Sequence, residues 1–274
     1  MKTIVASDIH LGSKSCDRRS FEDFLVSLRE DRQLTDFVVL GDFVDMWRRD
    51  ASGVFLENME TMLLLRELNK DVRLHFVAGN HDYHLLHLRN TAVHYHYPFE
   101  FRPSLELRDG PFTYRFLHGH EFEYGKEHEL MKIVMEALCH VMSDSEGSEE
   151  DKFWTYVIKT LSNLHFSAVT RSLEGHDTIV IAKSLMEGPE TRLAGRLEET
   201  ERLAREAQGG ANDEILVFGH THHPFINAEE NIVNTGSWVV EADPHDTYAV
   251  LEAGKPRLFV FRKGEVLERR GPSE

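Results

Sequence analysis

The chain has 274 residues, 41% of them hydrophobic, which is enough apolar material for the core of one large domain or two small ones. Its 31 basic against 47 acidic side chains leave a formal net charge of −16, which argues against a broad electrostatic grip on long nucleic acid, since that affinity comes from lysine and arginine neutralising phosphates. Cys16 and Cys139 are too few for a disulfide framework, and the first ten residues lack the apolar core of a signal peptide. No apolar run approaches the ~18 residues of a membrane span, so a cytoplasmic protein without integral membrane segments is expected, with peripheral contact and oligomeric state left open.

In chain order, residues 2–7, 36–40 and 72–78 are short apolar runs rich in β-branched side chains, separated by segments long enough to hold a helix each. Between them Phe21, Phe24, Leu25 and Leu28, and then Met62, Leu65 and Leu68, recur at helical spacing, as helices covering a sheet require. Further strands are expected at 112–117 and 214–218, then at 231–234, 247–251 and 257–261, which makes the C-terminal third predominantly β.

The roughly hundred residues between 112–117 and 214–218 read as helices. They carry apolar stripes at Met131, Val134, Met135 and Leu138 and at Phe153, Trp154, Tyr156 and Val157, broken by an exposed acidic loop over 143–151. Residues 189–208 open on a proline, carry leucines at 193, 197 and 203, and stop at Gly209-Gly210, so helix start, body and end agree. With no linker or repeat, residues 1–274 are expected to form one domain bearing a helical insertion, or cap, at about 125–208.

Five polar clusters each follow a predicted strand, where an open α/β sheet presents its ligands. Asp8-Ile9-His10 follows the first, and in an extended segment residues i and i+2 face the same way, so carboxylate and imidazole can converge on one ion. Gly41-Asp42-Phe43-Val44-Asp45 follows the second, glycine permitting a sharp turn off the strand. Gly79-Asn80-His81-Asp82 offers an amide oxygen and an imidazole suited to proton transfer. His118-Gly119-His120 and Gly219-His220-Thr221-His222 add paired imidazoles. Each cluster alone has a purely structural alternative in a turn or helix cap. All five in order, with oxygen and imidazole donors and no cysteine, suit zinc, manganese or iron and not a closed structural zinc site.

These motifs resemble the calcineurin-like metallophosphoesterases, over residues 8–222. The resemblance implies a four-layer α/β/β/α sandwich in the α/β class and a hydrolase holding two divalent metal ions, manganese first, with iron, zinc or magnesium as alternatives. It implies that Asp8, His10, Asp42 and His222 hold one ion and that Asp42, Asn80, His118 and His220 hold the other, with Asp42 as the bridge. It further implies His81 as the catalytic histidine, oriented by Asp45, and His120 as a residue behind the ligands. The attacking group implied is a metal-bound hydroxide. The long insertion and the segment from Asp42 to Trp47 are similar in layout to the UDP-2,3-diacylglucosamine pyrophosphatases, although those enzymes generally carry arginine at the position of His81 and His-Gly-Asp in place of His118-Gly119-His120.

The expected substrate is a phosphomonoester, phosphodiester or pyrophosphate on a small or lipid-linked molecule. Arg18, Arg19, Arg48 and Arg49 follow the first two motifs and are either phosphate contacts or solvated loop residues. The rival readings are a nuclease or cyclic-nucleotide phosphodiesterase with the same metals and, from another class, a non-catalytic scaffold of the same fold.

Overall fold

The computed structural model describes residues 1–88, 100–124, 200–206, 208, 213–229 and 231–263. In chain order the elements are β1 (Lys2–Ala6), α1 (Arg18–Leu28), β2 (Asp36–Leu40), α2 (Ala51–Glu57), α3 (Met59–Leu68), β3 (Arg73–Val77), β4 (Phe101–Arg102), β5 (Leu105–Asp109), β6 (Phe112–Phe116), β7 (Glu214–Phe218), β8 (Phe225–Asn227), β9 (Ile232–Asn234), β10 (Thr247–Glu252) and β11 (Lys255–Val260). Short 3-10 helices lie at Tyr83–Leu88 and His120–Tyr124. One sheet has the order β11-β10-β1-β2-β3-β4 and the other β5-β6-β7-β9-β8. In the first, β1 through β4 run parallel; in the second, β6, β7 and β9 do.

Side-chain alternation assembles the layers. On β2, Phe37 and Val39 face a cluster with Phe21, Phe24, Leu25 and Leu28 of α1 and Leu65 and Leu68 of α3, while Val38 and Leu40 face the second sheet. On β7, Ile215 and Val217 meet that same middle layer, whereas Leu216 and Phe218 face outward onto Phe122, Leu203 and Ala204. Two buried faces per sheet explain why the parallel strands read as continuous apolar runs instead of alternating ones. The result is the expected α/β/β/α order, the outer layer over the second sheet including helical residues 200–206.

All eight predicted strands are present within a residue or two, and both predicted helical stripes cover the first sheet. The sequence reading missed β4, β5, β8 and α2. Two of these strands are only two or three residues long, and β5, Leu-Glu-Leu-Arg-Asp, is an edge strand whose charged residues dilute its apolar signal. The stripes at 131–138 and 153–157, the acidic loop, Cys139 and most of the expected cap lie outside the described residues; the C-terminal turns of the helix expected at 189–208 are helical at 200–206. No helix of the described residues is long and apolar enough to cross a membrane.

Trp238 closes the core over α1, fully buried with its ring 5.0 Å from Phe21 and 4.9 Å from Phe24. Trp238→Ala should cost about 3–5 kcal/mol in chemical denaturation. At the start of β2, Asp36 faces Arg73 across the parallel register and accepts from its Nε and Nη2 at 2.9 and 2.8 Å, with His75 Nε2 2.8 Å away. Burial raises this carboxyl, but the His75 and Arg73 hydrogen bonds prevail and hold it at about 2, below the ordinary 3.8. A depressed folded-state value stabilises above the unfolded one, so the contribution, reduced by solvent screening at the exposed Arg73, is full above pH ~4 and lost as pH falls toward ~2. The stability gap between the wild type and Asp36→Asn should therefore narrow over that acid range.

Candidate metal centre

The loops leaving β1, β2 and β3 are joined by backbone hydrogen bonds. Asp8 and His10 N–H donate to the carbonyls of Gly41 and Asp42 at 3.1 and 2.8 Å, Asp45 N–H donates to Leu11 O at 2.8 Å, and Gly41 N–H donates to Val77 O at 2.9 Å. Within this frame Asp8, His10, Asp42, His220 and His222 all adopt left-handed backbone conformations, with φ between 48° and 67°. The i, i+2 pairs therefore share a site through tight bends after their strands, and not through the strand alternation expected from the sequence. A non-glycine residue in this region costs on the order of 1–3 kcal/mol, so five at one locus mark a strained site held by its surroundings.

Each carboxylate divides its oxygens between scaffold and cluster. Asp8 Oδ2 accepts the His220 backbone N–H at 2.9 Å, and Asp42 Oδ1 accepts that of His81 at 2.8 Å. Asp8 Oδ1 then lies 3.2 Å from His222 Nε2 and 3.9 Å from His10 Nε2. Asp42 Oδ2 lies 3.3 Å from His118 Nε2, 3.6 Å from His10 Nε2 and 4.0 Å from His81 Nε2. His10 Nε2 and His222 Nε2 are themselves 3.3 Å apart.

The tautomers follow from what lies behind the rings. His118 Nδ1 is 3.1 Å from the Leu40 carbonyl, which only accepts, so Nδ1 keeps a proton and, in the neutral ring, Nε2 presents a lone pair to the cluster. His10 Nδ1 faces Asp45 Oδ2 at 3.3 Å and His81 Nδ1 faces Asp45 Oδ1 at 3.0 Å, so one carboxylate orients both. Asp8 Oδ1, Asn80 Oδ1 and His118 Nε2 are buried yet make no hydrogen bond. Acceptors left this way inside a protein are expensive unless a cation or proton meets them.

The charges point the same way. Burial raises Asp8, but His222 and His118 overcome it and bring its carboxyl to about 2. Burial likewise raises Asp42, and His118 and His81 hold it well below the ordinary range. For His118 burial lowers the imidazole, yet Asp42 and Asp8 reverse that and lift it to about 10. The pair of fully buried aspartates thus draws a proton onto His118, and the same field draws cations. His120 is neutral, because burial pushes it down to about 4.

Two groups of ligand atoms result, Asp8 with His10 and His222, and Asp42 with His118 and His220, the members of each lying within 4.8 Å of one another. The buried Asn80 Oδ1 adds an amide oxygen from the β3 loop. These oxygen and imidazole donors fit two divalent cations. His10, Asp45 and His81 form a third group, in which Asp45 also accepts from Arg48 Nη1 at 2.6 Å. Arg18 and Arg49 contact Glu57, the former through its carbonyl and the latter through its carboxylate, while Arg19 is exposed.

Asp82 had no role in the sequence reading. Its Oδ1 accepts from Gly79 N–H at 2.7 Å and its Oδ2 from Phe43 N–H at 2.7 Å, so it ties the loop of Asn80 and His81 to that of Asp42. Burial, and then the Asp42 charge, push its carboxyl up to about 7. Its place at the end of Gly79-Asn80-His81-Asp82 is the only sequence signal that pointed to it.

The family model for calcineurin-like phosphoesterases matches residues 1–224. The chain belongs to this family. It is accordingly a metal-dependent phosphoester hydrolase. Among solved structures, the phosphoesterase is similar to a dimetal phosphatase from Danio rerio, at 15% identity and a TM-score of 0.50 over 97% of this chain and 98% of that one. It is also similar to Yfce, a phosphoesterase from E. coli, at 16% identity and a TM-score of 0.49 over 97% of both chains. At such identities the likeness concerns the fold. No curated protein matches the chain by sequence.

A Cβ on Gly79 would lie 2.1 Å from Asp42 Oδ1 and 2.4 Å from its backbone nitrogen. Gly79→Ala should therefore displace Asp42 and weaken divalent-metal binding at least about tenfold, as read by isothermal titration with Mn2+.

Proposed function

We propose that this phosphoesterase cleaves a phosphomonoester or phosphodiester of a small or lipid-linked substrate, using two divalent cations and a histidine that serves the leaving oxygen. The observation carrying this reading is the convergence of the buried polar atoms Asp8 Oδ1, Asn80 Oδ1 and His118 Nε2, which make no hydrogen bond within the protein. Asp8, His10, Asp42 and His222 would hold one cation, and Asp42, Asn80, His118 and His220 the other, with Asp42 shared. Manganese is the first assignment, since the donors mix hard carboxylate and amide oxygens with imidazole. When bound, the pair supplies Lewis-acid polarisation of the phosphoryl oxygens and an activated water.

The remaining work belongs to the protein. Asp45 Oδ1 faces His81 Nδ1, which turns Nε2 toward Asp42, and the Trp47 ring stacks on the imidazole at 4.1 Å. Stacking fixes the ring plane and the Asp45 contact fixes Nδ1, so Nε2 is aimed to pass a proton to the departing oxygen. Because Asp45 also faces His10 Nδ1, the acid and one cation ligand are aligned by the same side chain. A pyrophosphate on a lipid-linked substrate is the alternative suggested by the sequence between 125 and 208.

His81→Ala should retain both metal ions by elemental analysis while kcat falls about 10²–10⁴-fold on alkyl phosphoesters. The loss should shrink on p-nitrophenyl esters, whose leaving group needs no proton. Full activity of the variant on alkyl esters would remove His81 from this role. A panel of monoester, diester and nucleoside-diphosphate sugar with Mn2+, Mg2+ and Zn2+ separates the substrate classes, and preference for single- or double-stranded DNA would overturn the small-substrate reading.

A further inference from the structure

A separate group of ligand atoms lies on the side of the first sheet that α1 covers. Asp17 caps α1, accepting the Ser20 N–H on Oδ1 at 3.0 Å, and its own N–H donates to the Trp238 carbonyl at 2.9 Å. That contact brings the helix start to the chain between β9 and β10, where His245 and Asp246 precede Thr247. One ligand atom from each of Asp17, His245 and Asp246 lies within 4.8 Å of the others.

Helix capping accounts for Asp17 but not for the other two. Asp246 is only 8% exposed; its Oδ2 accepts from Ser20 Oγ at 2.5 Å, while its buried Oδ1 makes no hydrogen bond. A carboxylate oxygen in that position lacks the partner that burial demands. His245 Nδ1 lies 3.2 Å from the Ala242 carbonyl, which can only accept, so in the neutral ring the proton sits on Nδ1 and Nε2 carries a lone pair. A carbonyl behind one ring nitrogen is the usual support of a metal-ligating histidine.

We propose that Asp17, His245 and Asp246 form a divalent-cation site separate from the dinuclear centre, taking zinc or manganese and pinning the start of α1 to the entry of β10. Two carboxylates and one imidazole match the donors of both ions, with water completing the shell. The N-terminal end of a helix disfavours a cation, but Asp17 already neutralises that end by accepting the Ser20 N–H and adds a full negative charge. Ser20 orders both carboxylates at once, through its N–H to Asp17 and its hydroxyl to Asp246, so the site is preorganised.

The test is a zinc count on the whole chain. After equilibration with Zn2+ and gel filtration, the wild type should retain one equivalent more than His245→Ala, His245→Gln or Asp246→Asn. Zn2+ should also raise the melting temperature of the wild type further than theirs. Circular dichroism and melting in chelator identify the variants that fold, and the partly exposed His245 ring makes its two substitutions the tolerant ones. Equal zinc content in the wild type and the folded His245 variants would overturn the proposal and leave a pair of carboxylates sharing a proton. The difference of one equivalent does not depend on how many ions the dinuclear centre holds, so failure of one assignment is distinguishable from failure of the other.

Discussion

Asp8 and Asp42, both buried, each commit one oxygen to a backbone N–H and keep the other facing imidazole nitrogens. Two negative charges buried this close repel each other, and the repulsion is relieved by a proton on His118 or by a shared cation. The elevated His118 and the depressed Asp8 and Asp42 are three expressions of that one constraint. The rest of the upper end of the sandwich is arranged to keep these groups from relaxing apart. Backbone hydrogen bonds link the β1, β2 and β3 loops, and glycines at 41 and 79 stand where any Cβ would collide with His118 or Asp42.

Holding a strained, charged site requires a rigid base, and the middle layer provides it. Val5, Val38, Leu40 and Val77 of one sheet interdigitate with Tyr114, Phe116, Ile215 and Val217 of the other. Strands β1, β2 and β3 and strands β6 and β7 run parallel within their sheets, and the residues that follow them meet at one edge. This is how His10 and His222, 212 positions apart in sequence, bring ring nitrogens to 3.3 Å. Close-packed apolar faces deform little, so the cost of five left-handed residues is carried by the core rather than released by movement.

Asp45 and Asp82 give this end its organisation beyond the ligands. Asp45 couples His81 to His10, so that the histidine proposed to serve the leaving oxygen and a proposed cation ligand share one support. Asp82 couples two loops from below, and its proton affinity is raised by burial and by the Asp42 charge. Neither carboxylate is close to its ordinary solution behaviour.

Much of this was legible in the chain. Apolar runs located the strands because both faces of each parallel strand are buried, and helical stripes at Phe21–Leu28 and Met62–Leu68 marked the covering helices. The polar motifs were legible because ligands cluster just past strand ends, which fixes their order as well as their types. Edge strands such as β5 were hidden, since an exposed face dilutes periodicity. The convergence of Asp8 with His10 was foreseen for the wrong reason, because left-handed bends leave no trace in a residue pattern. Tertiary structure alone decided which oxygen of each aspartate faces the cluster, which nitrogen of each imidazole carries the proton, and that Asp17 meets Asp246. Those outcomes depend on hydrogen bonds between residues far apart in sequence, and no local pattern encodes them.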